Sequence, residues 1–482
     1  MHLFRPLVAV ACLWLAGCAH NAAYRVQPAS ATPCQETEQR DCRAAIRHPL
    51  RSGPDGAYIT YVEFDDQGAL HDRARTRQAL DLLRERTRQR ATLLVLFAHG
   101  WKHNASVGDG NVRDFQALLV KLRANLAAYE EKHKIAPEQR RQVEGVYLGW
   151  RGLSATWEPA RELSFWRRKA TAHRVGTDGA IEIISELSAL RSQPAANGGR
   201  HALVVAGHSF GGALVYNATE HLLMRELVEA QQCVSAADTG EPQLKIAPFS
   251  NTRVESTEGM ALQEDRCKPV PASVADMIIL VNPAFENTRY DPLEARSRQV
   301  PFARGQMPIL AVFMSEKDKA TRYAFPAGRF FSTFANRYTT PGQRKRDRRA
   351  LGHLAEKWTH TLDVPDRTRQ LLGIQSLLGM QALSQVASAI RPNYPGWDDF
   401  ICGNTNAWSL DGVELKRYRA NTPAPDPHSP YMVVRVKGKL INGHNAIWGE
   451  AFNGFVENLV TARFAGGSEM RCPRNQRPTR LP

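Results

Sequence analysis

The sequence predicts an α/β protein with a mostly parallel central sheet that is covered by helices on both faces. Short apolar runs of strand length alternate with longer stretches of helical period, a pattern typical of parallel sheets whose strands are buried on both sides. The composition is globular, with 43% hydrophobic and 23% charged residues. A chain of 482 residues favours two domains or one large core with insertions.

The first half of the chain follows this alternation. Apolar runs such as "AYITYVEF" and "TLLVLFAHG" are rich in β-branched and aromatic residues, which favours strands. The predicted elements are a strand at 57–64, a charged helix at 71–90, a strand at 92–100 that ends in a glycine turn, a helix from Val112 to His133 and a strand at 143–150.

The second half continues in the same order of strand and helix. Its strands are again short apolar runs, such as "HALVVAG" and "DMIILVNPAF". The predicted elements are helical stretches between about 160 and 191, a strand at 201–207, a helix near 211–231, strands within 276–285 and 307–318, a strand at 431–436 and a last helix near 450–464.

Two polar stretches interrupt the alternation, and we expect both to be insertions. Residues 233–272 are punctuated by proline and glycine, and residues 319–430 contain a helical patch at 366–390. The longer insertion is expected to cap the carboxyl edge of the sheet. The whole domain is then predicted at 56–465, followed by a C-terminal tail at 466–482.

Residues 1–18 resemble the signal peptide of a bacterial lipoprotein. An apolar run from Leu7 to Ala16, too short to span a bilayer, leads into "LAGC" at 15–18, which resembles a lipobox. The resemblance implies lipid modification of Cys18, and Ala19 after it resembles sorting to the outer membrane. The alternative is an ordinary secretory signal cleaved near Ala16. The proline-punctuated residues 19–55 are predicted to be a tether.

Six cysteines remain after the signal, which allows three disulfides in an oxidising compartment. The sequence does not determine the pairing. Nearest-neighbour pairing gives Cys34–Cys42, Cys233–Cys267 and Cys402–Cys472. No CxxC pair and no Cys/His set has the spacing of zinc ligands, so the sequence predicts no metal site.

The chain is basic, with 63 Lys and Arg against 48 Asp and Glu. The basic residues are spread along the chain, apart from a dense run at 344–349. No basic helix with interleaved aromatic residues and no nucleic-acid module is recognisable, which favours a solvated surface over nucleic-acid binding. A weak affinity for anionic lipid surfaces stays open, and so does the oligomeric state.

The run Gly207-His208-Ser209-Phe210-Gly211 fits the pattern G-x-S-x-G between a buried strand and a helix. Glycines on both sides of the serine allow a tight turn that lifts its hydroxyl above the sheet edge. Gly212 continues the small-residue run. In this context the motif resembles the nucleophile elbow of the α/β-hydrolase superfamily, often written G-H-S-x-G. The resemblance implies that Ser209 is the nucleophile.

A nucleophilic serine needs a base and an orienting carboxylate. The superfamily places an acid after a later strand and a histidine near the C-terminus, and Asp318 and His444 occupy those positions. Glu316 is the main rival for the acid, and Asp291 is a lesser one. The other histidines in contention are His428, His353 and His360.

The loop "HGW" at 99–101 resembles the superfamily's oxyanion loop. By that resemblance the backbone N–H groups of Phe210 and Trp101 would stabilise the tetrahedral intermediate. His99 and His103 stand four residues apart, but a metal pair at this spacing needs a continuous helix. We therefore expect His99 and Gly100 to support the loop.

These features predict a lipid-anchored serine hydrolase of the bacterial envelope that cleaves carboxylic esters through an acyl-Ser209 intermediate. Its partners would be a small-molecule or lipid ester and the membrane that holds its anchor, and no cofactor is implied. Thioesters and amides stay open as substrates. The alternative is a non-catalytic envelope lipoprotein that uses a hydrolase scaffold for binding.

Overall fold

A computed structural model of the protein describes most of the chain. The described residues are 21–33, 44–51, 56–154, 165–239, 273–300, 302, 304–365, 396–410, 412–418, 426–438, 440–465 and 472. The side chains of 166, 232–239, 464 and 465 are outside this description. The predicted helical patch at 366–390 and most of the predicted insertion at 233–272 lie outside it too.

One sheet of eleven strands runs through the described residues. Its strands are β1 (Arg47–Pro49), β2 (Ala57–Phe64), β3 (Thr92–Ala98), β4 (Gln142–Trp150), β5 (Ala202–His208), β6 (Met277–Val281), β7 (Leu310–Ser315), β8 (His360–Asp363), β9 (Ala407–Leu410), β10 (Val413–Arg417) and β11 (Tyr431–Val436). Their order across the sheet is β1-β2-β4-β3-β5-β6-β7-β11-β8-β10-β9.

The centre of the sheet is parallel and its two edges are antiparallel. Neighbours from β2 to β8 pair in parallel. At one edge β1 pairs antiparallel with β2, and at the other β10 pairs antiparallel with both β8 and β9. The prediction of an α/β class with a mostly parallel sheet is confirmed.

Helices connect the parallel strands, as a crossover requires. They are α1 (Arg73–Gln89), α2 (Gly110–Lys132), α3 (Phe165–Thr177), α4 (Gly179–Ser192), α5 (Phe210–Thr239), α6 (Asn287–Ser297), α7 (Phe325–Ser332), α8 (Pro341–Asp347), α9 (Trp397–Ile401) and α10 (Glu450–Ala465). None of the described helices is long and apolar enough to cross a membrane.

The central strands are largely apolar because both faces of the sheet are covered. Successive residues of one strand enter opposite cores: Val62 packs in one cluster and Tyr61 in the other. In β3, Leu94 and Val95 divide in the same way. Because these strands are buried on both faces, their sequences are continuous apolar runs and do not alternate between apolar and polar residues.

The 319–430 segment contributes more to the sheet than a cap would. Three of its stretches form β8, β9 and β10, which extend the sheet beyond β11. These strands are short and partly polar, as in "VELKR" of β10, so their pattern did not stand out. The expectation of a cap is therefore wrong for these strands.

Part of the predicted tether packs against the body. The Glu63 carboxylate accepts hydrogen bonds from the backbone N–H groups of Tyr24 and Arg25 at 2.8–3.0 Å. Strand β1 pairs with β2, and the buried Arg47 donates to Glu144 at 2.8 Å. The tether interpretation of 19–55 is wrong for these stretches, because their polar groups have partners on the sheet edge.

The structure joins Cys402 to Cys472 in a disulfide with a Cα–Cα distance of 5.7 Å. Cys18, Cys34, Cys42 and Cys267 lie outside the described residues, and the side chain of Cys233 does too. The pairs Cys34–Cys42 and Cys233–Cys267 stay predictions, and so does the lipid on Cys18.

We expect peptide mapping under non-reducing conditions to recover Cys402 linked to Cys472. Replacing Cys402 by serine should lower the free energy of unfolding by about 2–4 kcal/mol, because the disulfide closes a long loop. Chemical denaturation measures the change. An unlinked Cys402 in the native protein, or an unchanged free energy of unfolding in the variant, would contradict the pairing.

Candidate active site

Ser209 lies in a tight turn between β5 and α5. Its φ of 55° is in the left-handed region that side-chain-bearing residues rarely adopt. A Cβ at Gly207 would lie 2.4 Å from the carbonyl oxygen of Gly211, and a Cβ at Gly211 would lie 2.0 Å from that of Ala98. Only glycine fits at both positions, so the turn depends on the glycines of the motif. A Cβ at Gly212 would lie 2.9 Å from Cβ of Pro283.

The three residues predicted to form the triad lie in hydrogen-bond contact. The Ser209 hydroxyl is 2.7 Å from Nε2 of His444, and Nδ1 of the same ring is 2.7 Å from Oδ2 of Asp318. With the serine donating to Nε2, the Nδ1–H donates to the carboxylate. This arrangement lets His444 take the serine proton while Asp318 holds the ring.

The sheet topology explains how residues so far apart in sequence meet. Ser209 follows β5, Asp318 follows β7 and His444 follows β11. All three strands run in the same direction within the central sheet. Their carboxyl ends therefore share one edge, which is where open α/β sheets place their ligands.

Asp318 is buried without being neutralised. Burial by itself raises the pKa of this carboxyl, but hydrogen bonds and charge from His444 and hydrogen bonds from Thr321 hold it below the ordinary value. The side chain is 0% exposed. Asp318 is thus an anion aimed at the imidazole, as the orienting role requires.

The rival acids lie elsewhere. Glu316 accepts from Arg435 at 3.0 Å and from the backbone N–H of Gly438 at 3.1 Å. Asp291 pairs with Arg346 at 2.8 Å and with Lys357. Neither carboxylate contacts His444.

Two rival histidines are also engaged at other places. His360 is buried on β8, and its Nδ1 lies 2.8 Å from the Thr359 hydroxyl. His428 lies against Gly403, where a Cβ would approach its ring within 2.8 Å. Neither ring contacts Ser209.

The 99–101 loop lies directly beside Ser209. A Cβ at Gly100 would stand 2.8 Å from Cβ of Ser209. In the part of the chain that the structure describes, neither the Trp101 nor the Phe210 backbone N–H donates to an acceptor. That leaves both groups without a competing acceptor, and their role as oxyanion donors stays a prediction.

His99 supports this loop as a neutral ring. Burial lowers its pKa to about 4. Its Nδ1 lies 2.9 Å from the carbonyl oxygen of Gly100, and its Nε2 accepts from the Trp150 backbone N–H at 3.1 Å. The Trp150 indole donates to the His99 carbonyl at 3.0 Å, so the loop is tied to the end of β4. His103 instead lies 3.1 Å from Asp109.

Aromatic side chains form an apolar wall next to the oxyanion groups. Phe165, at the start of α3, packs on Trp101 with ring centroids 5.2 Å apart and on Phe210 at 4.6 Å. Phe210 is fully buried. The partly buried rings of Trp101 and Phe165 therefore give this side of the site an apolar surface.

His208 and Asn282 hold His444 through its backbone carbonyl. Nε2 of His208 donates to the carbonyl oxygen of His444 at 2.9 Å, and the Asn282 amide donates to the same oxygen at 3.0 Å. Burial lowers the pKa of His208 to about 3, so the ring stays a neutral donor. The sequence predicted His208 only as part of the elbow, and it offered no signal for Asn282, whose φ is 46°.

Thr321 and His353 form a second hydrogen-bond chain to Asp318. The Thr321 hydroxyl donates to Oδ2 of Asp318 at 2.5 Å, and its oxygen lies 2.7 Å from Nε2 of His353. Since the single hydroxyl proton goes to the carboxylate, Nε2 of His353 is the donor to Thr321. Burial lowers the pKa of His353 to about 4, which keeps that ring neutral. The sequence did not predict either role.

Replacing Thr321 by valine should impair the triad without breaking it. The variant removes one hydrogen bond to Asp318, so the pKa of that carboxyl rises and the carboxylate attracts a protonated His444 ring more strongly. We expect the acid limb of the kcat/KM profile to move to higher pH and turnover to fall about tenfold. Thr321→Ser keeps the hydroxyl and is the matched control. Identical pH profiles for the valine and serine variants would argue against the positioning role.

The arrangement thus combines an oriented imidazole, a strained serine turn and two free backbone donors at one sheet edge. Such a set can attack a carbonyl carbon and stabilise the resulting oxyanion. Comparison of the chain with models of protein families, with curated proteins and with solved structures finds no match, so the assignment of this site rests on its own geometry.

Proposed function

We propose that the protein is a serine hydrolase of the α/β-hydrolase superfamily that cleaves carboxylic esters. The observation that carries the proposal is the hydrogen-bond chain from Ser209 through His444 to Asp318, with both links at 2.7 Å. Each member follows a different parallel strand, in the chain order nucleophile, acid, histidine that is typical of the superfamily.

In the proposed reaction, His444 accepts the proton as Ser209 Oγ attacks the ester carbonyl. The backbone N–H groups of Trp101 and Phe210 stabilise the oxyanion of the tetrahedral intermediate. His444 then gives its proton to the leaving alcohol, which produces an acyl-Ser209. Water attacks the acyl group with His444 as base, and the carboxylic acid leaves.

The apolar surface of Trp101 and Phe165 supports an apolar acyl or alcohol group in the substrate. Lipase, carboxylesterase and thioesterase activities all fit this chemistry, since they share the acyl-serine step. Amide cleavage is the less favoured alternative.

An activity series tests the proposal. The purified chain is assayed with p-nitrophenyl esters of rising acyl length, an acyl thioester and a matched anilide. We expect turnover of the esters that exceeds that of the anilide and that vanishes in Ser209→Ala. A folded wild-type protein that turns over neither esters nor thioesters would favour the binding scaffold.

We also propose that the protein is anchored in the bacterial envelope, at the periplasmic side or surface of the outer membrane, through lipid on Cys18. The support is "LAGC" at 15–18 after an apolar run. Cys18→Ala should accumulate as an unprocessed or mis-sorted precursor in cell fractions. Processing and fractionation identical to wild type would contradict the lipobox.

A further inference from the structure

Four aromatic side chains form an exposed cluster just after the catalytic acid. Six large hydrophobic side chains are exposed in the described part of the chain, and four of them lie within residues 323–334. Their exposed fractions are 62% for Tyr323, 48% for Phe330, 78% for Phe331 and 82% for Phe334. Clustered exposure of this kind is rare on a soluble protein surface and marks interaction sites.

The cluster is held outward by a well-anchored segment. Phe325 at the start of α7 is 0% exposed, and Thr333 at its end is 1% exposed. Arg329 ties the helix to Glu286 at 3.1 Å and to Asp347 at 2.7 Å. Because the opposite side of α7 is fastened in this way, the phenylalanines face solvent as part of an ordered structure.

The same segment is strongly basic. Residues 320–349 contain a single carboxylate, Asp347, and eight cationic side chains. Asp347 is already engaged by Arg329 and by the Tyr338 hydroxyl at 2.6 Å. The cations are Arg322, Arg329, Arg337, Arg344, Lys345, Arg346, Arg348 and Arg349.

Several of these cations are unneutralised. Among the residues that the structure describes, no carboxylate pairs with Arg337, Arg344, Lys345 or Arg349. Arg348 stacks over the Phe330 ring at 4.7 Å, which places positive charge against the exposed aromatic cluster. We call these exposed aromatic and cationic side chains of 322–349 the aromatic–basic surface.

We propose that the aromatic–basic surface docks on a phospholipid bilayer that carries anionic headgroups. Aromatic rings favour the interfacial layer of a membrane, and lysine and arginine bind its anionic headgroups. A protein partner would have to match this positive charge with a dense acidic patch of its own, whereas anionic headgroups supply negative charge across the whole bilayer surface. Single-stranded nucleic acid typically binds along a basic groove that tracks its backbone. It is the alternative occupant that the experiment below distinguishes.

Docking on a bilayer does not require catalysis, but it would affect the candidate site. Thr321, which donates to Asp318, precedes Tyr323 by two residues. Docking would therefore hold the segment that carries the catalytic acid at the lipid surface. A hydrolase positioned in this way would meet esters that partition into the bilayer.

Hydrogen-exchange mass spectrometry on the full chain tests the docking, because it measures protection segment by segment. Membrane binding through lipid at the N-terminus is then not mistaken for docking of 322–349. The protein is mixed with vesicles of phosphatidylcholine alone, with vesicles that also contain phosphatidylglycerol, or with a single-stranded RNA. With excess anionic vesicles, we expect exchange within 322–349 to slow about tenfold. We expect little change with phosphatidylcholine alone or with RNA.

Two sets of variants identify the responsible side chains. Serine at Phe330, Phe331 and Phe334 should abolish the protection, whereas Leu82→Ser, which removes an exposed leucine from α1, should not. Arg344→Glu combined with Lys345→Glu should abolish it too. Two exposed arginines of α1 and α2, Arg77 and Arg113, changed together to glutamate serve as the charge control.

Three results would overturn the proposal. They are unchanged exchange of 322–349 with anionic vesicles, equal protection by neutral vesicles, and full protection in the triple serine variant. Protection by RNA but not by vesicles would assign the surface to nucleic acid instead.

Discussion

Replacing Ser209 by alanine is expected to lower kcat for a short-chain ester by about 10⁴-fold or more. The variant keeps the strained turn and both backbone N–H groups, but it removes the hydroxyl oxygen that would form the covalent bond to the substrate. His444→Ala should cost a similar amount, since an unassisted hydroxyl is a weak nucleophile. The double variant should cost little more, because the two residues act as one unit.

The controls for this prediction are a distant serine and a measure of folding. Ser192→Ala removes an exposed hydroxyl from α4 whose partner is the Ser188 carbonyl, and it should leave turnover unchanged. Circular dichroism establishes that each variant is folded. Near-wild-type turnover by a folded Ser209→Ala protein would reject the mechanism.

Asp318→Asn is expected to lower turnover by up to about 10⁴-fold while the fold persists. An asparagine that presents its amide to Nδ1 favours the wrong tautomer of His444, so Nε2 carries a proton and no longer accepts one from Ser209. The loss should not exceed that of removing Ser209 or His444. Initial rates on a short-chain ester measure the change.

Glu316→Gln is the matched control for the acid. Glu316 lies two residues from Asp318 but is bonded to Arg435 and Gly438, so its variant should have nearly normal turnover. A severe defect at Glu316 with a mild defect at Asp318 would move the acid to Glu316 and contradict the geometry, although the hydrolase proposal would survive.

The central strands were predictable because burial on both faces leaves continuous apolar runs between helical stretches. The run at 57–64 coincides with β2, and 431–436 coincides with β11. The short strands at and next to the two edges were not predictable. Strand β10, next to the edge strand β9, has the sequence VELKR, and the edge strand β1 has only three residues, one of them a proline. Charge and proline in such strands hide the strand pattern.

The meeting of Ser209, His444 and Asp318 was predictable for a different reason, because the resemblance to the α/β-hydrolase superfamily locates such residues by chain order and by strand ends. The supporting residues lacked such a signal. Asn282 and Thr321 are ordinary polar residues in the sequence, and only the folded sheet brings one to the carbonyl of His444 and the other to Asp318. In the sequence, His353 lies in a charged segment, and only the structure shows that it donates to Thr321.

The exposed aromatic cluster was hidden for a related reason. The run "RYAFPAGRFFSTF" at 322–334 contains four phenylalanines, and its pattern does not indicate which of them are covered. The structure buries Phe325 and exposes Phe330, Phe331 and Phe334. Which aromatic residues are covered depends on the packing of α7, and the sequence alone does not specify it.

Covalent labelling with a fluorophosphonate tests the central claim most directly, because the probe reacts only with a serine that its own site activates. The account predicts stoichiometric labelling of the folded wild-type chain, with the phosphonate mapped to Ser209 by peptide mass spectrometry. Labelling should be lost in Ser209→Ala and slowed strongly in His444→Ala. An unlabelled wild-type protein, or a label on any serine other than Ser209, would contradict it.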